Sequence, residues 1–402
     1  MLTFEEARAR LLAALEPIVS EPVPLERGLG RVLAEPLVAA LAIPAFPYSA
    51  MDGYALATSD LRGAAPFRLE VRGESRTGRP AAPLVAGSAC VISTGAEVPP
   101  GADAVVPREL VERSGDDAVF SERPKSGQHI RRAGEDLEAG SVALTAGTRL
   151  GPAALGLAAS LDATELSVAR RPRVTILCTG DELRAPGSAL VPGKIPESVS
   201  PPLAALAALA GAEVRRLPPV GDEEAATRAA IARALADTDL LLTVGGVSVG
   251  EHDWVRPALE AEGVVLDFWK VAIKPGKPLA FGRRAPSGAW VLGLPGNPAS
   301  AVITFSLFGM PLLRALQGDR EPLPKYAQLP LAGAFSHKPG RLEFVRVRIA
   351  MHEGRLSAVP LENQASGALT SLAWADGLAL VPGEIEALSA GSLVSVLRIQ
   401  DL

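Results

Sequence analysis

The chain reads as a multidomain α/β protein built on a doubly wound parallel-sheet domain, with two small β domains and helical segments around it. Three observations predict this. From Arg173 to Asp319, short apolar β-like runs alternate with helical stretches, the pattern of a parallel sheet covered on both faces. From Phe67 to about Thr148, short β-like runs alternate with Gly/Pro-rich turns, the pattern of a small β domain. After about Asp319 the helical signal stops, and Val345, Val347 and Ile349 alternate with Arg346 and Arg348 as in a half-exposed strand.

In chain order, Thr3 and Glu6 form a T-x-x-E capping box, which predicts a helix from Phe4 to about Leu15. A second short helix is expected over Leu29 to Leu37. Pro44 and Pro47 then hold the chain extended into Tyr48-Ser49-Ala50-Met51-Asp52-Gly53-Tyr54-Ala55. The β runs of the next region are Phe67–Val71, Ala89–Ser93 and Ala104–Val106. A helix opens at Gly151-Pro152, with proline at its favoured first position, and runs to about Leu161. Beyond Arg173 the expected strands are Val174–Cys178, Val214–Leu217, Leu240–Val244, Val264–Val271 and Trp290–Leu292. The helices between and after them are Pro202–Ala210, Glu223–Ala236, Trp254–Glu262 and Pro298–Leu316, the last capped by Asn297. Val394–Ile399 completes the second β domain.

With 402 residues the chain has room for roughly two to four domains. Hydrophobic residues make up 48%, enough for a substantial core. Lys+Arg 40 against Asp+Glu 45 gives a net charge of −5, which argues against a general nucleic-acid binder. Cys90 and Cys178 lie far apart with no CxxC, so neither a disulfide framework nor a thiolate zinc site is expected, and a reducing cytoplasm fits. The start, Met1-Leu2-Thr3-Phe4-Glu5-Glu6, lacks a signal peptide's apolar core. No apolar run approaches the ~20 residues of a membrane span. The expectation is a soluble cytoplasmic protein with no membrane partner.

Candidate chemistry concentrates between Leu240 and Leu307. The apolar run Leu240–Val244 turns through Gly245-Gly246-Val247-Ser248-Val249-Gly250 into Glu251-His252-Asp253. A buried strand delivers such a turn to the edge of the sheet where ligands bind. Glycines there let backbone N–H groups converge on an anion. Lys270, Lys274-Pro275-Gly276-Lys277-Pro278 and Gly293-Leu294-Pro295-Gly296-Asn297-Pro298 follow, a combination suited to a ligand with several negative charges. Thr179-Gly180-Asp181-Glu182 and Val220-Gly221-Asp222-Glu223 also follow expected strands and can converge on the same edge.

Each signal has a plainer reading. Glu182, Asp222, Asp253 and Asp136 could be ordinary loop and cap carboxylates. The lysines could be solvated turn residues. Thr94 and Ser366 could bond their own backbone. Gly246-Val247-Ser248-Val249-Gly250 also fits the G-x-S-x-G of a nucleophile elbow, although His337 and His352, the histidines that follow it beyond His252, lie in the terminal β region. The four histidines show no H-x-x-x-H spacing for zinc.

Taken together, the quoted segments resemble one family, the molybdopterin molybdenumtransferases (MoeA), with the gephyrin E domain as an animal relative. The segments carrying the resemblance are Ser49 to Ala55, Ser93-Thr94-Gly95-Ala96, Gly134-Glu135-Asp136, Thr179 to Glu182, Gly245 to Asp253, Trp269-Lys270, Lys274 to Pro278, Gly293 to Pro298 and Gln364-Ala365-Ser366-Gly367. They run in the family's order over almost the whole chain. The resemblance implies a helical linker domain over 1–47 and 140–172, split around a small β domain over 48–139. It implies a molybdopterin-binding, MogA-like doubly wound domain over 173–318 and a C-terminal β domain over 319–402. It also implies a homodimer with each site shared between subunits.

The implied reaction takes adenylylated molybdopterin and molybdate, inserts the metal, and releases AMP with molybdenum cofactor. A pyrophosphate linkage calls for a hard divalent cation. Glu182 and Asp253 are therefore assigned to Mg²⁺, with Asp222 nearby and Asp52 and Asp136 supplied by the partner chain. Lys270 and Lys274 join the catalytic set. Thr94, Gly245, Gly246, Ser248, Gly250, Lys277, Pro295, Pro298 and Ser366 form the substrate-binding set. A separate molybdopterin adenylyltransferase could hand over the substrate. Two other functions fit the same domains: adenylyl transfer onto molybdopterin, or a gephyrin-like scaffold. One stretch departs from the family pattern: Gly193-Lys194-Ile195-Pro196-Glu197-Ser198-Val199 has Pro196 and Val199 where tyrosine and asparagine are usual.

Overall fold

The computed structural model describes residues 1–246, 253–286 and 288–399. Its central feature is a six-stranded sheet in the order Glu213–Arg216, Arg173–Cys178, Leu240–Val244, Trp290–Leu294, Pro278–Arg284, Val264–Lys270. The first four strands are parallel. The last two joints are antiparallel, which departs from the all-parallel expectation. A parallel crossover needs a dozen or more residues. Only residues 271–277 and 285–289 connect these strands, so the chain must fold back on itself. The strand Pro278–Arg284 was hidden in the sequence because a turn rich in proline opens it.

Alternate strand residues feed two cores. Val174, Ile176, Leu240, Leu242 and Leu292 face one cluster, which also takes in Leu203, Ala207, Phe305 and Leu312. Leu177, Leu241 and Val291 face the other, with Ile231, Leu235, Val255 and Leu259. Period-two burial on both faces makes this a doubly wound domain.

Helix α1, Phe4–Ala13, starts at its expected capping box. Thr3 Oγ1 accepts from the Glu6 amide at 3.1 Å, and Glu6 Oε2 accepts from the Thr3 amide at 2.8 Å. The helix buries Phe4, Ala7 and Leu11, and Phe4 packs edge-on to Phe308 and Phe344, both at 5.3 Å. Helix α2 is Pro152–Ser160, α3 is Ser200–Leu209, α4 is Glu224–Leu235 and α5 is Val255–Ala261. The expected helix over Leu29 to Leu37 is absent. Gly30 sits at φ +73°, and the backbone of the segment bonds to two distant stretches: Leu33 N to Thr148 O at 3.0 Å and Leu150 N to Arg31 O at 2.8 Å, and Ala34 N to Ser167 O at 3.0 Å and Ala169 N to Val32 O at 2.9 Å.

The chain from Pro298 to Leu316 is one helical run: α6, Pro298–Thr304, a π segment, Phe305–Gly309, and α7, Met310–Leu316. Contrary to the expectation that no apolar run approaches the length of a membrane span, its 19 residues could span one by length and hydropathy. It is 89% buried, however, and forms the spine of the larger core.

Residues on either side of the 53–120 sheet come together. Ser20–Pro24 pairs with Glu165–Ala169, and Leu37–Val38 pairs with Val142–Leu144. The intervening sheet runs Ala104–Pro107, Gly53–Leu56, Ser88–Ile92, Phe67–Ser75, Asp117–Phe120, Val111–Ser114, over a core of Tyr54, Leu56, Phe67, Leu69 and Phe120. The C-terminal sheet is built on the long strand Leu342–His352, and Ile273–Lys274 joins it in parallel register. Val345 and Val347 are buried as expected. Arg346, expected to face solvent, is also buried. Its guanidinium donates to the carbonyls of Ala365 and Ala368, which turn inward to meet it.

Asp239 ties the linker to the base of the central strand. Its carboxylate accepts from both terminal guanidinium nitrogens of Arg170 and from the Arg173 amide, each at 2.7 Å. Burial pushes this carboxyl up, but the bonds to Arg170 and Arg173 outweigh it and hold it below the usual aspartate range. A depressed carboxyl adds stability above its unfolded value of ~3.9, lost as pH falls through its folded value. Asp239→Asn is therefore expected to lose about 1.5–3 kcal/mol at pH 7. In denaturant titrations, the gap to the native protein closes as pH falls below the aspartate range.

Candidate active site

The loops at the carboxyl ends of the parallel strands enclose a 290 Å³ cleft lined by Glu182, Glu197, Asp222, Gly245, Gly246 and Asp253, among others. Three of these carboxylates, Glu182, Asp222 and Asp253, come from the three loops that the sequence predicts to converge. Gly180 lies at φ +149°, and a Cβ there would fall 2.3 Å from a Glu182 carboxylate oxygen. Glycine at 180 thus lets Glu182 fold back over its own loop. The neighbouring loops are tied reciprocally: the Asp222 amide donates to Asp181 Oδ1 at 3.1 Å, and the Asp181 amide to Asp222 Oδ2 at 3.3 Å.

Asp253 stands just ahead of α5. The N-cap is Trp254, with no side-chain capping bond. Ser248, Gly250 and His252 lie outside the described residues.

Glu197 occupies the N-terminus of α3. Its carboxylate accepts the Val199 amide at 2.6 Å, the Ser200 amide at 2.7 Å and the Ser200 hydroxyl at 2.6 Å. Burial raises this carboxyl, but those bonds more than reverse the effect and keep it below the usual glutamate range. Cys178 Sγ lies 3.5 Å from the same carboxylate. Burial and then Glu197 push the thiol upward, so Cys178 stays protonated and is no nucleophile. The sequence marks this stretch only as a departure from a pattern. The capping box puts the serine first and the glutamate three residues later, the reverse of Glu197 and Ser200, so no local signal marked Glu197.

Two strand reversals restore direction, so Val264–Lys270 runs the same way as the parallel four and brings Lys270 to the same edge. Lys270 lines an adjoining 660 Å³ cleft with Arg10, Arg256, Asp267 and Trp269, and Asp253 lines both clefts. The Arg256 guanidinium lies 5.2 Å from the Trp269 ring centroid.

Pro298 opens α6 and Pro295 lies just ahead of it; the turn that carries Lys274 and Lys277 approaches the helix at Gly276, where a Cβ would fall 2.3 Å from Thr304 Oγ1. The Ser366 carbonyl accepts the Ala299 and Ser300 amides at 3.1 and 3.3 Å, closing the first turn of the helix. Asn297 holds the N-cap position but makes no side-chain capping bond, contrary to expectation, because this carbonyl takes its place. Pro295 is buried and Lys277 exposed. Lys274 Nζ lies 2.9 Å from the buried Glu343 carboxylate.

Asp52 and Thr94 meet in the 53–120 sheet region, where the Thr94 amide donates to Asp52 Oδ1 at 2.7 Å. Asp136 is exposed on its loop. None of these three is among the residues lining the sheet-edge cleft. His337, a possible base for a nucleophile elbow, has both ring nitrogens engaged in the C-terminal region, by Glu343 and the Ile385 carbonyl. Sequence reasoning passed over Glu197, Asp181, Glu343 and Arg346.

Among the described residues, no group of three or more His, Cys, Asp or Glu is arranged to hold a metal. The charged donors lining the cleft are carboxylates, beside the Thr179 hydroxyl and the protonated Cys178 thiol, and carboxylates suit Mg²⁺. That ion uses one or two carboxylates and completes its shell with water and substrate phosphate.

Family models match nearly the whole chain in order: the MoeA N-terminal region (domain I and II) at residues 2–161, a probable molybdopterin binding domain at 175–315, and the MoeA C-terminal region (domain IV) at 328–399. A Haemophilus influenzae protein named molybdopterin molybdenumtransferase is 37% identical over 98% of both chains. The chain belongs to the MoeA family. A Synechococcus elongatus protein of the same name is 39% identical over 98% of this chain and 99% of its own. The crystal structure of a molybdopterin biosynthesis MoeA protein from Pyrococcus horikoshii superposes with a TM-score of 0.86 at 28% identity, covering 98% of this chain and 99% of that one.

Two cleft glycines separate in their tolerance. Gly246 has φ +63°, and a Cβ there would lie 2.1 Å from Val255 Cγ2, whereas at Gly296 the nearest atom is 3.6 Å away. Gly246→Ala is expected to cost at least ~2 kcal/mol, and Gly296→Ala less than ~0.5 kcal/mol. Thermal unfolding of the two variants measures the contrast.

Proposed function

We propose that this protein transfers molybdenum from molybdate to adenylylated molybdopterin and releases AMP, in a Mg²⁺-dependent reaction that yields molybdenum cofactor. The convergence of Glu182, Asp222 and Asp253 on one cleft carries the reading, with the lysine-bearing turn at the same sheet edge. Full-length relatives that bear the transferase name support it.

Catalysis here is positioning and charge neutralisation. The glycine turn at Gly245-Gly246 admits phosphate oxygens close to the backbone. Lys270, Lys274 and Lys277 set compact positive charges against pyrophosphate and molybdate. Glu182 and Asp253 hold Mg²⁺, which supplies charge neutralisation on the pyrophosphate when bound. Asp222 orients the Glu182 loop through its tie to Asp181. Water adds to the phosphoanhydride, so its oxygen ends on one phosphoryl group while the other leaves. AMP and the pterin phosphate separate.

Asp52 and Asp136, which are not among the described residues lining this chain's own cleft, are proposed to serve the cleft of a second copy in a homodimer. The cytoplasm is the proposed compartment, and an adenylyltransferase is the proposed source of substrate.

Asp253 carries the test. Asparagine has nearly the same shape but brings no charge to a cation. Asp253→Asn is expected to keep the fold and the binding of adenylylated molybdopterin, while single-turnover AMP release falls by orders of magnitude and excess Mg²⁺ partly restores it. Mixing this chain with Asp136→Ala chains should restore part of the activity through mixed dimers. Near-native release at low Mg²⁺ removes Asp253 from the site, and inactive mixed dimers remove the shared site.

A further inference from the structure

We propose that Glu343 is the positioning residue for Lys274, a carboxylate of the C-terminal sheet that sets where the lysine ammonium meets a substrate anion. The proposal rests on the reading of Lys274 as an anion-binding residue.

The backbone already places the pair. Ile273–Lys274 runs parallel to Leu342–Glu343, with Lys274 and Glu343 as register partners. The Leu342 amide donates to the Ala272 carbonyl at 3.1 Å, extending the joint. From that register Lys274 Nζ reaches Glu343 Oε1 at 2.9 Å. The other carboxylate oxygen, Oε2, lies 3.1 Å from His337 Nδ1, and His337 Nε2 is held by the Ile385 carbonyl. His337 thus contacts the carboxylate oxygen of Glu343 that Lys274 does not.

The two partners differ sharply in exposure: the Lys274 side chain is 44% exposed and that of Glu343 only 4%. Taking a carboxylate out of water costs several kcal/mol. An ion pair to a half-exposed lysine returns ~0–1 kcal/mol. The Lys274 pair alone therefore does not offset the burial of Glu343; the contact to buried His337 holds the carboxylate in the sheet, and the lysine contact has a role other than stability. A free lysine carries about 2 kcal/mol of rotamer entropy, which an anion must overcome to be held by it. Glu343 engages one face of the ammonium in advance. The group has three hydrogens, so others stay directed at solvent, where an anion can take them.

Strand Leu342–His352 places a second loop by the same means. Three residues past Glu343, buried Arg346 holds the carbonyls of Ala365 and Ala368 on either side of Ser366. The C-terminal sheet thereby fixes both the lysine turn and the serine loop against α6.

The test is a double-mutant cycle on the full-length protein, following AMP release from adenylylated molybdopterin with molybdate varied, and then the reverse. Glu343→Gln is expected to raise the KM for the anion that Lys274 binds by roughly tenfold, with kcat within about twofold. In a Lys274→Ala background the same substitution should have no further effect on KM. Glu343→Asp, which keeps the charge but draws it back by one methylene, should raise KM in the same way and serves if the glutamine variant does not fold. The proposal is overturned if either variant leaves both KM values unchanged or lowers them, or if its effect persists undiminished without Lys274. A Lys274→Ala chain with native KM values removes Lys274 from the anion site, and the positioning role with it. Weakened Lys274→Ala beside unaffected Glu343 variants removes the positioning role alone.

Discussion

The strand Leu240–Val244 is buried along its whole length, with parallel neighbours on both sides. That constraint organises the site. Strands that share a direction must end at the same edge, so the loops after Cys178, Val244 and Leu294 have one place to go. The antiparallel hairpin does not disturb this arrangement. Two reversals return the edge strand to the common direction and leave Lys270 at the same rim. An acidic protein can thus concentrate cations locally, opposite a group of carboxylates, without being basic overall.

The second organising contact crosses domains. Phe4 wedges between Phe308 of the buried helical run and Phe344 of the C-terminal strand. The same strand takes up Ile273–Lys274 as a register partner and holds the Ser366 loop through Arg346. The C-terminal sheet therefore supports the lysine turn and the first turn of α6. Burial of Glu343 and Arg346 in that strand runs against the stability preference of charged groups, and each has an identifiable partner that explains it.

Legibility in the sequence followed the range of the interactions. The capping box at Thr3, the proline opening α2 and the apolar run of Leu240–Val244 are local signals, and each produced the expected element. The carboxylate loops were legible because strand–helix alternation dictates where such loops lie. The failures are non-local. Leu29 to Leu37 bonds its backbone to residues 147–150 and 167–169, more than a hundred positions away. Arg346 alternates like a surface residue, but its partners arrive from a loop some twenty residues later. Asn297 had the right identity for a cap, and the Ser366 carbonyl took the role. Glu343 gave no signal, because its partners, Lys274 and His337, meet it only in the folded sheet.

In the proposed function, the sheet-edge cleft couples molybdate use to cleavage of a phosphoanhydride. The most direct measurement incubates the native protein with adenylylated molybdopterin and Mg²⁺, with and without molybdate, and quantifies AMP and molybdenum-loaded pterin together. The account predicts that AMP appears in step with loaded pterin, one for one, and that omitting molybdate suppresses both. ATP consumption with AMP transferred onto molybdopterin, or AMP release that ignores molybdate, would contradict it.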